Sequence, residues 1–527
     1  MDTDVLVIGS GAGGLTAAVA LARAGQKVLV VEQHYLPGGW CHSFNLDKYR
    51  FSPGVHYIGE TYPGGRMRAI LDGLDVRDIT FCELNPDAFD HVIIGKGGRE
   101  KFDICKGRER LADRLCDRFP REKKGIRAYL DTVQRIGDEL GELFEIRPRD
   151  VWRLPFRART ALRWSLSSTR SLINSHVRDP LLRAILAAQA GDHGLPPSEA
   201  PALLHASIAH HYFGGGFYPK GGGGAIPRAF IRALRRAGGD IKVRTEVTQI
   251  LLEGRRAIGV RLADGSEIRA RTVVSNADPQ VTYGRLLPPE ALSRKLRRRL
   301  ARTRWSTSAL SLFFATDMDL AAAGCDSGNY WYYPDTDLER TYQTGKEPWG
   351  PDIPELPGFF LTITTLKDPS KRKGGHHSME AFTFVGYDAF KRWEESKVGE
   401  RPAEYNARKR RLMDKMIANA GRIVPGLPGR VTFAELGTPL TNKFYCAATA
   451  GNLYGTEKTL SQLGPFAYQV KSEIDGLYLC GASTLGHGVL GAAMSGIAVA
   501  KAVLRVRAAE LLAPRAAPPA EGVDAAA

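Results

Sequence analysis

No run of about 18 apolar residues free of charge occurs in this 527-residue sequence, so no membrane-crossing helix is expected. The opening Met1-Asp2-Thr3-Asp4 lacks the basic and then apolar character of a secretory signal, which leads to the expectation of a cytoplasmic chain. Cysteine is sparse: seven are scattered without a CxxC pair. That excludes a disulfide framework and a zinc ribbon, fits a reducing compartment, and predicts no metal site. Internal repeats are missing, and so is any recognised nucleic-acid-binding module, so no nucleic-acid partner is expected. What remains is ordinary globular composition, 43% hydrophobic and 25% charged. A chain this long exceeds one core and predicts two or three domains.

Acid is the scarcer charge. Lys plus Arg number 73 against 57 Asp plus Glu, a balance of +16. Without a nucleic-acid module, this favours an anionic membrane surface as partner. Seven arginines and one acid, Asp150, lie between Arg147 and Arg170, interleaved with Trp152, Leu154, Phe156, Leu162 and Trp164. Rings at headgroup level with guanidinium groups on phosphates would suit a bilayer interface. A second basic stretch, 292–300, has leucines every four residues. It reads first as a solvated helix face over a core stripe.

The N-terminus carries the sharpest motif. Val5-Leu6-Val7-Ile8 reads as a buried parallel strand and runs into Gly9-Ser10-Gly11-Ala12-Gly13-Gly14. Small helix formers follow from Leu15, Gly25 stops them, and 27–32 reads as a second strand ending in Glu32. Gly9 permits the tight turn, Gly11 lets backbone approach a diphosphate, and Gly14 lets the helix pack close to the sheet. The helix N-terminus would turn free N–H groups to the phosphates. Glu32, beside Gln33, stands 23 residues after Gly9, where a carboxylate can hold a ribose. This predicts a dinucleotide site without telling FAD from NAD.

Further motifs narrow the choice. Pro37-Gly38-Gly39-Trp40-Cys41-His42 follows Glu32, and then comes Pro53-Gly54-Val55-His56-Tyr57-Ile58-Gly59. The sequence resembles the FAD-dependent carotenoid desaturase, carotenoid isomerase and retinol saturase family, a phytoene-desaturase-like branch of the amine oxidase superfamily. The stretches 210–219, 438–445 and 451–455 are similar to the saturase branch, so the resemblance spans about 4–506. It implies an α/β fold: an FAD-binding Rossmann-like domain with a discontinuous α+β substrate domain. The expected division is 1–75, 215–290 and 425–508 for FAD, 76–214 and 291–424 for the substrate and membrane side, and a disordered tail at 509–527.

The resemblance also implies cofactor contacts at Gly39, Trp40, Val247, Gly481, Gly488 and Val489. Ala482 stands where many such enzymes carry a ribityl-binding acid. Strands are predicted at 241–247, 249–252, 257–262 and 272–275, and helices at 226–237 and 492–506. A polyene offers no charge to grip, so its pocket should be apolar and aromatic. Tyr330 to Tyr333, Phe359-Phe360 and Phe382 to Tyr387 are candidates, with ordinary core as the alternative. His193, His205, His210 and His211 are acid–base candidates ahead of the glycine-rich 215–224. Of all such groups, His56, Tyr57 and His211 are chosen as catalytic.

The expected function is FAD-dependent oxidoreduction or isomerisation of a long isoprenoid polyene, with no direct use of nicotinamide and no redox partner indicated. One rival keeps the flavin but takes an unsaturated fatty acid or other lipid, which would call for an arginine grip. Another is a non-catalytic prenyl-lipid binder on the same fold.

Overall fold

The computed structural model describes residues 2–96, 98–144, 152–347, 349 and 356–513. Strand β1 (Thr3–Ile8) runs into helix α1 (Ala12–Arg23), which returns the chain to strand β2 (Val28–Val31), parallel to β1. Glu267–Ser275 lies parallel on the other side of β1, and Leu477–Leu479 parallel beyond it. Asp240–Lys242 pairs with β2 at the far edge. The front half of Glu267–Ser275 also joins the antiparallel ribbon Val247–Glu253 and Arg256–Leu262. The result is a seven-stranded sheet built from three separated stretches of chain. Val5 and Val7 pack under α1 while Leu6 and Ile8 face the opposite core, the period-two split that lets an all-apolar strand sit at the centre.

Helix Gly488–Leu504 crosses α1 at very close range. A Cβ at Gly496 would lie 2.4 Å from the Gly13 carbonyl oxygen, so the crossing requires glycine. A second seven-stranded sheet is mostly antiparallel and runs in the order Val431–Gly437, Ser308–Thr316, His377–Val385, Phe359–Ile363, Asn329–Tyr333, Asp90–Ile94, Glu100–Ile104. Helix Ala403–Ile423 covers one face, through Leu412, Met416 and Ala420. Helices Lys123–Leu143 and Ala202–His211 cover the other.

Several boundaries differ from expectation. The strand expected at 241–247 breaks after Lys242. Arg244 takes φ 53°, its N–H bonds to the His34 carbonyl, and Thr245 N–H bonds to the Glu32 carbonyl. The chain leaves the sheet there to brace the segment carrying Glu32. The helix expected from 492 begins at Gly488, because packing on α1 outweighs the low helix propensity of its glycines. The tail expected to be disordered from 509 starts as a helical turn, Ala508–Leu511, with Ala508 and Leu511 buried in the core beneath the first sheet. The rest of that tail, 514–527, lies outside the described residues, as do Arg147, Arg149 and Asp150 of the first basic stretch. The second basic stretch forms helix Arg294–Arg302, with Leu296 and Leu300 resting on the core and Arg299 lying over the Tyr468 ring, as its solvated-face reading expected.

Candidate active site

One cavity of about 840 Å³ runs from the glycine turn of β1–α1 to the inner face of the second sheet. At its first end lie Gly9, Ser10, Gly11, Ala12 and Gly13. Gly14 stands behind them: its N–H donates to Asn276 Oδ1 at 2.9 Å, and an added Cβ would lie 2.3 Å from the Gly9 carbonyl oxygen. The first turn of α1 begins at Gly11, which has no side chain to cap it. Helix Gly488–Leu504 likewise begins without a side-chain cap, and Gly488 and Val489 line the same cavity. Two long helices therefore bring unsatisfied N–H groups and positive dipole ends to one space.

Glu32 and Gln33 border that space at the end of β2. Glu32 Oε2 accepts from Ser10 N (2.9 Å) and Ser10 Oγ (2.6 Å), and Oε1 accepts from His34 N (2.9 Å). A carboxylate has about four acceptor sites, so one is left for a ribose hydroxyl. Gly39, Trp40 and Val247 also line the cavity. Gly39 has φ 52°, and a Cβ there would approach the Gly11 Cα to 3.3 Å. Gly481 lines it too, but its N–H already donates to Ser495 Oγ at 2.8 Å. The buried Nδ1 of His487, the residue before the second helix, has no hydrogen-bond partner among the described residues. A glycine cradle, two uncapped helix starts, a spare carboxylate site and an orphaned ring nitrogen fit a dinucleotide with a polar ring system.

A family model for flavin-containing amine oxidoreductases matches residues 12–504. The chain belongs to this family. This member of the flavin-containing amine oxidoreductases is 31% identical to all-trans-retinol 13,14-reductase of Danio rerio, over 95% of this chain and 86% of that protein. It is 29% identical to the chloroplastic prolycopene isomerase of Arabidopsis thaliana, over 95% of this chain and 82% of that one. An oxidoreductase structure from Methanosarcina mazei shares the fold, with TM-score 0.63 and 19% identity over 94% of this chain and 99% of that one. The flavoprotein described here is an α/β enzyme, an FAD-dependent oxidoreductase.

The far end of the flavoprotein's cavity is apolar and aromatic. Leu140, Leu203, Ile208 and Leu453, which pack with the core of the second sheet, border it, while Phe144 packs with the core of the first sheet. Phe360 and Phe382, stacked with centroids 4.7 Å apart, face it from the second sheet. Their neighbours Phe359 and Tyr330 alternate to the opposite core, so the aromatic runs divide between pocket and core.

His56, Tyr57 and His211 all line the cavity. His56 Nδ1 lies 3.1 Å from Glu380 Oε2, so a neutral ring carries its proton there and keeps Nε2 as acceptor. Glu380 is buried and also accepts from Ser52 N at 2.8 Å. His211 is committed to the protein: Nε2 accepts from Gly59 N at 2.8 Å, and Nδ1 lies 3.4 Å from Glu60 Oε1. The Arg66 guanidinium and His211 hold the Glu60 carboxyl far below its ordinary range against the opposing effect of burial. His193, His205 and His210 do not line the cavity; His205 bonds to Tyr129 and the Leu186 carbonyl.

Tyr57 Oη lies 3.0 Å from Asp192 Oδ2 and 3.2 Å from Asp90 Oδ2, with its ring stacked on Tyr212 at 4.3 Å. Asp90 also accepts from Gln189 Nε2 (3.1 Å) and Asn329 Nδ2 (2.9 Å). Asp192 lines the cavity. Burial, reinforced by the Asp90 charge, pushes the Asp192 carboxyl up to about 8. Burial pushes Asp90 up to about 6 despite its three donors. Lys367, which donates to the His56 carbonyl at 2.7 Å and to Asn329 Oδ1, is lowered to about 7 by burial.

Sequence reasoning missed Asn276, Asp192 and Glu380. Asn276, just past the strand predicted at 272–275, carries no local sign of its bond to Gly14. Asp192 had one legible signal: it is the lone acid in the apolar stretch 180–198.

Proposed function

We propose that the protein changes the saturation or geometry of a carbon–carbon double bond in a long isoprenoid polyene, a retinoid or carotenoid. The observation that carries this is the single cavity joining the glycine cradle to an apolar, aromatic wall. The names of the relatives, a retinol reductase and a prolycopene isomerase, support the same substrate class. In this reading the amides of Gly11, Ala12 and Gly13 and of the Gly488 turn hold the FAD diphosphate side, since Gly9 N–H is bonded to the Val31 carbonyl and Ser10 N–H to Glu32. Glu32 holds a ribose, and Trp40, Val247 and Gly481 bound the site by shape. FAD bound there supplies a two-electron acceptor or donor. The chain's own residues orient a hydrocarbon that offers no polar handle, by packing it between Phe360, Phe382 and the leucines, and they keep bulk water away. His56, with its orientation fixed by Glu380, and Tyr57 are among the polar groups that face the substrate, while His211 positions the loop at Gly59.

A fatty acid is less well served. Arg66 and Arg285 border the cavity, but Arg66 is bound to Glu60 and Arg285 to Glu246. A carboxylate would have to displace one of these partners. The intact cradle opposes the non-catalytic lipid-binding alternative.

The division of the chain into FAD-side and substrate-side pieces is part of this reading, and so is contact with an anionic bilayer. Residues 152–166 present Trp152, Phe156 and Leu166 at 65%, 82% and 81% exposure, among Arg153, Arg157, Arg159 and Arg163. The test of substrate is incubation of the flavin-reduced and flavin-oxidised protein with C20, C30 and C40 polyenes and with an unsaturated fatty acid. Products are read by mass and by geometry. Conversion of a polyene is expected; conversion of the fatty acid alone overturns the reading.

A further inference from the structure

We propose that Asp192 is the proton donor to the polyene: a neutral carboxylic acid in the cavity wall that protonates one end of the double bond being saturated. This rests on the proposed substrate class and adds the residue and the step.

The geometry comes first. Asp192 ends the helical turn Ala188–Asp192, which packs against helix Ala202–His211. Its carboxyl and that of Asp90 reach the same Tyr57 hydroxyl, which has one proton to give. Two carboxylates this close do not both ionise readily in a buried site. Which one keeps the proton follows from their partners. Asp90 is met by donors from Gln189 and Asn329 as well as Tyr57, and Lys367 lies close enough to stabilise its charge. Asp192 receives a side-chain hydrogen bond from Tyr57 alone among the described residues. Asp90 is therefore the better-supported anion and Asp192 the resident acid. Only Asp192 of the two faces the cavity. Its main chain is fixed as well: His487 Nε2 lies 2.7 Å from the Asp192 carbonyl oxygen, which ties the acid to the start of helix Gly488–Leu504 and so to the cofactor end of the cavity.

The step balances. The carboxyl O–H bond breaks and a C–H bond forms at one carbon of the C=C bond. Flavin held at the glycine cradle, once reduced by two electrons, would supply the hydrogen and electron pair of the second C–H bond as a hydride. The π bond is lost, Asp192 is left as carboxylate, and water reprotonates it. A general acid of this kind accelerates its step by about 10²–10⁴-fold. His56 is a poorer source because its proton is held against Glu380, and His211 has Nε2 taken by Gly59 N and Nδ1 within ion-pair range of Glu60.

The test uses the full-length protein with and without flavin. Without substrate, infrared spectra near neutral pH should show a protonated-carboxyl band that shifts in D₂O and is lost in Asp192→Asn. Asp192→Asn replaces one neutral group by another of the same shape, and flavin absorbance reports that the fold and cofactor remain. With flavin reduced in D₂O, where the carboxyl O–H and the flavin N–H both exchange with solvent, the wild type should place two solvent deuteriums in each saturated product. Asp192→Asn should be slowed about 10²–10⁴-fold. Asp192→Glu keeps an acid, and recovery of part of the rate supports the assignment if Asp192→Asn loses flavin. Absence of the infrared band, an Asp192→Asn rate equal to wild type, or a product isomerised without deuterium each overturns the assignment while leaving the substrate class standing. A wild type that converts no polyene overturns the substrate class, and the assignment falls with it.

Discussion

At the scale of single residues, the buried acids and amine behind Tyr57 set opposite trends of stability with pH. Asp192 and Asp90 carry folded-state values above an unfolded carboxylate, about 8 and about 6. Their contribution is fully present below the unfolded value near 4 and is lost as pH rises through the folded values. Lys367 is lowered to about 7, so its contribution is present at high pH and lost as pH falls through that value. The other groups facing Asp192 do not titrate in this window. Tyr57, Tyr212, Tyr333, Tyr342 and Tyr454 are raised by burial, and His487 is lowered by it to about 3. The comparison of wild type with Asp192→Asn removes the opposing trend of Lys367. In urea unfolding of the flavin-free protein, the stability of wild type relative to Asp192→Asn should fall steadily from pH 5 to pH 8. A flat difference would mean that Asp192 is ionised throughout. None of this was legible in the sequence, because Tyr57, Asp90, Asp192 and Lys367 come from four distant stretches and make no motif. Glu32 was legible because its partner Ser10 lies in the same crossover unit, where spacing alone brings the two together.

Among elements, the β1–α1–β2 unit was readable almost to the residue, since each of its requirements is local: an apolar run, glycines at fixed offsets, an acid at the second strand's end. What the sequence could not show is the partner that closes the unit. Asn276 arrives from 262 positions away to accept from Gly14 N, and Glu267–Ser275 inserts beside β1. The same contacts rank the glycines. A Cβ at Gly14 meets the Gly9 backbone oxygen at 2.3 Å, and backbone does not yield there without separating α1 from the sheet. A Cβ at Gly11 meets the far end of the Asn276 side chain at 2.6 Å, which can swing aside. Gly14→Ala should therefore cost about 1–3 kcal/mol in urea unfolding and weaken flavin retention, with Gly11→Ala closer to wild type in stability. Equal losses would show that the helix, rather than the side chain, gives way at both positions. A separate substitution, Glu32→Gln, leaves the packing but removes the charge. Flavin titration should show weaker binding by about 1.5–3 kcal/mol, and the flavin-free protein should itself lose about 1–3 kcal/mol in unfolding, because the amide cannot accept from both Ser10 and His34.

For the whole molecule, the question is how a hydrocarbon reaches the cavity. Among the described residues no helix is long and apolar enough to cross a membrane. The helix Lys123–Leu143 carries Leu140 and Leu143 into the cavity wall, and the chain beyond it returns as the short helices Leu154–Arg157 and Arg159–Trp164 packed against that same helix. Glu139 anchors them by accepting from Thr160 N (3.1 Å) and Ala161 N (2.6 Å). The exposed rings of Trp152 and Phe156 thus sit on the element that lines the apolar end of the site. A polyene held in a bilayer gains about 0.8 kcal/mol per buried CH₂ over water, so transfer along an apolar route is the favourable one. If this arm rests on a lipid surface, the protein should sediment with vesicles containing anionic lipid, and less so as salt is raised, because the arginines supply a screened attraction. Trp152→Ser with Phe156→Ser should weaken that binding about tenfold or more, since each ring contributes about 1.5–3 kcal/mol when buried. Conversion of a short polyene presented in detergent should stay near wild type, because neither ring lines the cavity. A double variant that still sediments like wild type would place the membrane contact elsewhere, and one that loses detergent activity as well would make the arm part of the catalytic fold instead of its landing surface.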